Sequence, residues 1–374
     1  MKALEEVRAL SDAVFNPAME KWKSEGGKIA GYFCTYVPEE IIYAAGLLPY
    51  RVRPTGCTST MEADAYLSHV NCTYVRSCLE FALEHKYDFL DGVVFSNSCD
   101  HVRRLHDLWR EKAPGPEFDY LVQVPHKTGE EQISFFREDL ALLKAELEGA
   151  FGRRITDESL SQAVEVYNET RELLRQLYDL RQQSNPPISG ADCLRVVLAS
   201  TAAPKPQVNE LLRRLLSELA DEKGRSDHTA RLMVLGSLYD DPAHTEVIEE
   251  LGGLVVADAL CFGSRYFWQR VEIDGDPLLG LARSYLTRPS CARMTEGLVE
   301  RGDFVKGLID RYKVDGVIFQ RIRYCDLWGG ELFYLRKKLR EWGIPLLSLE
   351  REYALGGTGQ LKTRVQAFLE RIGG

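Results

Sequence analysis

Tyr87–Asp100 reads YDFLDGVVFSNSCD, and Tyr312–Asp326 reads YKVDGVIFQRIRYCD. Each runs from a tyrosine through an Asp-Gly pair into a β-branched apolar run, crosses a few polar residues and ends in Cys-Asp. Val93-Val94-Phe95 and Val317-Ile318-Phe319 have the continuous apolar character of strands buried on both faces of a parallel sheet. Helix-like segments follow both, over His101–Trp109 and Glu331–Trp342. Cys99 and Cys325 are thereby placed just past the carboxyl end of a strand, where open α/β sheets bind their ligands. Two lobes that present a thiol at the same topological point predict one shared site, with a metal or an iron–sulfur cluster as the first candidate.

The duplication extends outward from these segments. GYFCTYVPEEIIYAAGLLP (Gly31–Pro49) has a short apolar run, a turn, Pro38 with two acids, a helix and Gly46. RLMVLGSLYDDPAHTEVIEELGGLVVAD (Arg231–Asp258) has the same order: strand Leu232–Leu235, Pro242, helix Thr245–Leu251, Gly252-Gly253 and strand Leu254–Ala257. Proline early in a helix, acids in its first turn and glycine past its end are the expected punctuation. A weaker pairing matches AYLSHVNC, ending at Cys72, with SYLTRPSC, ending at Cys291. The sequence therefore predicts an α/β fold of two similar parallel-sheet lobes facing a central cleft.

Between the lobes, Ile133–Phe151 and Glu158–Gln183 have long helical periodicity, with Thr156 as the cap of the second helix. Cys193–Ala203 and Pro206–Glu222 read as two more helices. The expected organisation is an N-terminal helix and first lobe over 1–130, a helical connecting region over 131–226 and a second lobe over 227–374. Residues 1–28 read as one helix carrying Phe15 and Trp22. With 47 basic against 56 acidic residues and a net charge of −9, and no basic run interleaved with aromatics, nucleic acid is not an expected partner. Apolar stretches are too short to span a bilayer, and the N-terminus is amphipathic and acidic rather than signal-like. A cytoplasmic protein is expected, in which nine cysteines are reduced thiols or ligands rather than disulfides.

The familiar local spacings of ferredoxins and zinc ribbons are absent, so position in the duplication, not spacing, singles out Cys99 and Cys325. A free cysteine is otherwise a small buried hydrophobe. Cys193 and Cys261 read as core, Cys78 as facing the core of a helix that starts near Cys72, Cys34 as able to line the cleft and Cys291 as the best reserve ligand. His69, His101 and His106 read as ordinary polar residues. Gly356-Gly357-Thr358-Gly359 could hold a phosphate, but it lacks the spacing and the lysine of a P-loop.

The segment GYFCTYVPEEIIYAAGLLPYRV, Cys72 after a polar turn, VVFSNSCD and VIFQRIRYCD together resemble the 2-hydroxyacyl-CoA dehydratase and benzoyl-CoA reductase family over essentially the whole chain. The resemblance implies two Rossmann- or flavodoxin-like lobes and a [4Fe–4S] cluster held by Cys72, Cys99 and Cys325. It also implies a related iron–sulfur subunit as heterodimer partner (or a second copy of the chain) and a separate ATP-hydrolysing activator that injects one low-potential electron. In the dehydratase branch, the reading favoured here, that electron makes a ketyl radical on an acyl-CoA thioester. Loss of the 2-hydroxyl and elimination to enoyl-CoA follow. In the aromatic branch electrons enter the ring of benzoyl-CoA. A third branch carries a double-cubane cluster and needs more cysteines. The stretch FALEHKYDFLDG lacks a thiol, which favours a single cubane, while Cys57, Cys78 and Cys291 keep the larger cluster open. Thr35 and Glu39 are the candidate substrate contacts, and the Gly356–Gly359 segment a candidate seat for CoA phosphates. A non-catalytic two-lobed binding protein and a structural zinc protein are the alternatives outside this family.

Overall fold

Short β-branched runs become strands, and each strand feeds a helix that crosses back over its sheet. In the computed structural model, which describes residues 1–353 and 358–373, β1 (Lys28–Tyr32), β2 (Leu47–Arg51), β3 (Gly92–Ser96) and β4 (Phe118–Val122) form one parallel sheet in the order β2-β1-β3-β4. A second parallel sheet contains β5 (Ala230–Gly236), β6 (Gly253–Ala259), β7 (Gly316–Ile322) and β8 (Leu346–Arg351) in the order β6-β5-β7-β8. The two orders are the same, so the doubled sequence is a doubled α/β fold. In each lobe the chain moves to one side after the first strand and to the other after the second. The crevice opens at that reversal, between β1 and β3 and between β5 and β7, beyond the carboxyl ends of the strands.

Helices Thr73–Leu83 and Asp100–Lys112 cover one face of the first sheet, where Val75, Leu79, Leu105 and Trp109 pack with Val93 and Phe95. The other face, with Ala30, Tyr32 and Val94, packs against helix Glu130–Phe151 and, from the second half of the chain, helix Pro277–Thr287. Helices Asp157–Asp179, Gly190–Ser200 and Lys205–Ala220 complete the helical layer. Thr156 does cap its helix, accepting from the Ser159 amide in a reciprocal capping box. Residues 1–28 differ from the expectation of one helix. Lys2–Ser11 and Pro17–Ser24 are separate, because Asn16 caps the Met19 amide and Pro17 starts a new helix that cannot continue the old one. The first of the two packs on the helical layer, its Val7 and Leu10 sharing a core with Val196 and Leu211.

The Pro38-Glu39-Glu40 segment joins the three regions. Pro38 precedes helix Glu39–Ala44, and both carboxylates are buried. Glu39 accepts from the hydroxyls of Tyr32 and Tyr266, and pairs with Lys205 at 3.0 Å. Glu40 pairs with Arg171 at 2.5 Å and accepts from the Tyr285 hydroxyl at 2.7 Å. Burial pushes the Glu40 pKa upward, but the Arg171 guanidinium and the Tyr285 hydroxyl outweigh it and hold the carboxyl below its ordinary value.

Removing this carboxylate strands a buried guanidinium, so Glu40→Ala should destabilise the protein by about 3–5 kcal/mol in urea unfolding at pH 7. A depressed folded pKa means that the stabilisation is present above the ordinary glutamate pKa of about 4.3 and is lost as pH falls through the folded value. The deficit of the variant should therefore shrink on acidification. A deficit that stays constant down to pH 3 would contradict the ion-pair account.

Candidate functional site

The Cys-Asp pairs are helix starts. Cys99 is the N-cap of Asp100–Lys112, Cys325 the N-cap of Asp326–Glu341 and Cys72 the N-cap of Thr73–Leu83. Asp100 and Asp326 occupy the first turn, where a negative side chain complements the helix dipole, and both carboxylates face solvent. The first-turn amides of Tyr74 and Val75 favour a thiolate at Cys72, those of His101 and Val102 at Cys99, and that of Trp328 at Cys325.

These three thiols line one cavity of ≈ 130 Å³ between the lobes, and Cys34, Cys261 and Cys291 line it with them. Each lobe thus contributes three. Cys72 and Cys291 stand at equivalent places before the helix that leads into β3 or β7, and Cys99 and Cys325 at equivalent places after those strands. Cys34 lies just past β1 and Cys261 just past β6. Among the described residues four non-glycine residues have left-handed φ. His85 and Lys313 end helices, whereas Cys34 (φ 80°) and Tyr324 (φ 67°) belong to the thiol loops, a strain that the surrounding packing has to maintain.

Thr35 lines the same cavity, and its carbonyl accepts from Arg288 across the lobes at 3.0 Å. Glu39 does not line it, because its carboxylate is engaged by Lys205 and two tyrosines. Cys78 and Cys193 are fully buried in the core, and Cys57 lies outside the cavity with its thiol donating to the Ser59 carbonyl at 3.0 Å. Cys261, expected as core, does pack against an apolar cluster of the second lobe, but it is only half-buried and also lines the cavity with the other thiols. The signal is in the sequence, since Cys261 follows its strand by the same short step as Cys34. Gly356 and Gly357 lie outside the described residues, while Gly359 lies in the first turn of helix Thr358–Gly373.

Three arginines, Arg51, Arg265 and Arg293, belong to the site without any local sequence signal that marks them. All three line the cavity, and among the described residues no acidic, lysine or histidine side chain does. His101 acts one step back, its Nδ1 accepting from the Cys72 amide at 3.2 Å and so tying the Cys72 loop to the Cys99 helix. Burial dominates the thiols: it pushes Cys72 up to about 11 and Cys99 up to about 12, and Cys325 upward as well, with neighbouring thiols adding to the shift of Cys99 and Cys325.

No three Cys, His, Asp or Glu side chains among the described residues converge on a point that a single metal ion could take. The thiols instead surround a volume. That donor set suits an iron–sulfur cluster, whose irons take thiolates from several directions. The surplus of buried positive charge around it suits an anionic occupant. Cys72, Cys99 and Cys325 would be its ligands at the helix starts, with Cys34, Cys261 and Cys291 within the same lining.

Fold and cavity together define a two-lobed α/β protein with a thiol site shared between its lobes. The chain belongs to the family described as 2-hydroxyglutaryl-CoA dehydratase, D-component, whose family model matches residues 34–372. It is 26% identical to a benzoyl-CoA reductase subunit from Thauera aromatica, over 95% of this chain and 94% of that protein. It is 28% identical to the putative dehydratase subunit YjiM of Escherichia coli strain K12, over 94% and 93%. Its identity to the (R)-phenyllactyl-CoA dehydratase beta subunit of Clostridium sporogenes is 26%, over 96% and 97%. Among the described residues no helix is long and apolar enough to cross a membrane.

Thiolate is the reactive form, so raised thiol pKa values make a direct prediction for iron-free protein. Iodoacetamide labelling of Cys99 should be slow at pH 7 and accelerate roughly tenfold per pH unit up to pH 9 without a plateau. Mass spectrometry of the Cys99 peptide reads this out, and a plateau near pH 7 would contradict the burial account.

Proposed function

We propose that the cavity between the lobes holds an iron–sulfur cluster and that the chain is the iron–sulfur component of an ATP-activated, low-potential enzyme of the acyl-CoA dehydratase and reductase class. The observation that carries this reading is the convergence of thiols from both lobes on one cavity lined also by three arginines and, among the described residues, by no carboxylate. Such a cluster, when bound, supplies single low-potential electrons that no side chain can. The chain's own contribution is placement and dryness. Cys72, Cys99 and Cys325 would hold the cluster from helix starts, and Phe33, Tyr74, Val75, Ile322 and Trp328 line the site with apolar surface that limits its contact with water. Thr35, which lines the same cavity, would be the contact for a substrate polar group. Glu39, enclosed with Lys205, anchors the scaffold. The relatives are themselves named as subunits, which supports a multi-subunit assembly; in this reading a related iron–sulfur chain or a second copy is the partner, and a separate ATP-hydrolysing activator delivers the electron.

The lining also favours one branch of the class. A single cubane with an open iron uses three cysteines, whereas this cavity presents six, three per lobe. That number supports the double-cubane form, and with it a reductase, over the single-cubane dehydratase that the sequence favours.

Iron and acid-labile sulfide in anaerobically purified protein test both statements. The six-thiol site predicts about eight irons per chain, and a single cubane about four. Cys99→Ala and Cys325→Ala should each lower the count sharply while leaving circular dichroism unchanged. Protein that stays iron-free after anaerobic reconstitution would contradict the cluster site altogether.

A further inference from the structure

We propose that Arg51, Arg265 and Arg293 are built-in counter-charges of the cluster site that raise its reduction potential; the inference rests on the cluster reading above. Elsewhere among the described residues, most buried arginines face a carboxylate. Arg171 pairs with Glu40, Arg301 with Glu331 and Arg76 with Asp64, each at 2.5–2.7 Å. The three that line the thiol cavity are as deeply buried, at 2%, 4% and 2% exposure, yet none pairs with a carboxylate among the described residues; Arg53 and Arg288 are also buried on backbone carbonyls alone, but as single arginines that do not line the cavity, whereas three converge there.

Their construction is common to all three. Arg51 donates to the Cys261 carbonyl at 2.5 Å and stacks on Phe262 at 3.5 Å. Arg265 donates to the carbonyls of Ala259 at 3.0 Å and Ser290 at 3.3 Å and lies over Trp328. Arg293 donates to the carbonyls of Ser98, Val124 and Pro125 and lies over Tyr36. Carbonyls and an aromatic face orient a guanidinium and soften its desolvation, but they leave its full charge uncompensated. A buried, uncompensated cation is strongly unfavourable unless an anion shares its surroundings. Three of them around six thiols match a thiolate-ligated cluster, which is an anion and gains a further negative charge on reduction. Nearby cations favour the reduced form more than the oxidised form and so raise the potential.

The test compares Gln and Lys variants at each of the three positions in anaerobically purified full-length protein, reading iron content and midpoint potential in EPR-monitored dithionite titrations. Counter-charge predicts that Arg→Gln displaces the one-electron equilibrium at least tenfold toward the oxidised form, about 59 mV lower. Arg→Lys, which keeps the charge and loses the planar fork, should stay close to wild type. Loss of iron in Gln variants with retention in Lys variants would support the same conclusion. Equal potentials in Gln, Lys and wild-type proteins would overturn it, as would equal loss of iron in both variant sets, the mark of a purely structural role. Iron-free wild-type protein would overturn the cluster reading itself and this inference with it, whereas iron-loaded wild type with unmoved variants would overturn the inference alone.

Discussion

Glu39 and Glu40 are neighbours on one short helix, and much of what positions the thiols is tied to their carboxylates. Two adjacent acids cannot both be buried ionised without two cations beside them, and the cations come from different helices of the central layer: Lys205 and Arg171. Tyr32, from the strand that leads to Cys34, and Tyr285, from the helix that leads to Cys291, meet the remaining oxygens, while Tyr266, beside Arg265, donates to the oxygen that Lys205 also holds. First lobe, helical layer and second lobe are therefore joined at one polar node. Apolar packing alone would permit sliding between them; directional ion pairs do not.

Rigid relative placement matters because the site belongs to neither lobe. Each sheet delivers a thiol, Cys99 or Cys325, at the point where strand order reverses, and only the facing of two such points brings the thiols of both lobes onto one cavity. The arginines continue this logic across the cleft. Arg51 of the first lobe reaches the Cys261 carbonyl of the second, while Arg293 and Arg288 of the second reach Ser98 and Thr35 of the first. Thiol-bearing loops on one side are thus held by cations from the other, so the elements that fix geometry also set the local field.

Much of this is legible in the sequence. The duplicated strand–Cys–Asp segments point to two parallel-sheet lobes, because continuous β-branched runs followed by a helix have few other solutions. The helical middle is readable from long periodicity and from the Thr156 cap. Other features depend on distant contacts. Glu39 reads as a cleft residue because its helix follows the first strand, and its burial rests on Lys205 and Tyr266, far away in the chain. Cys261 reads as core because an apolar strand precedes it. The break at Asn16-Pro17 has a local cause, a capping side chain followed by proline, yet amphipathic periodicity on both sides of it suggests a single helix. The arginines carry no local signature at all, since what distinguishes Arg293 from Arg301 is whether a carboxylate stands opposite.

The most direct measurement of the central claim is iron-edge anomalous diffraction from crystals grown anaerobically. The account predicts strong anomalous density between the lobes, within bonding distance of Cys99 from one and Cys325 from the other. An iron-free cavity, or iron bound only at the surface or wholly within one lobe, would contradict it.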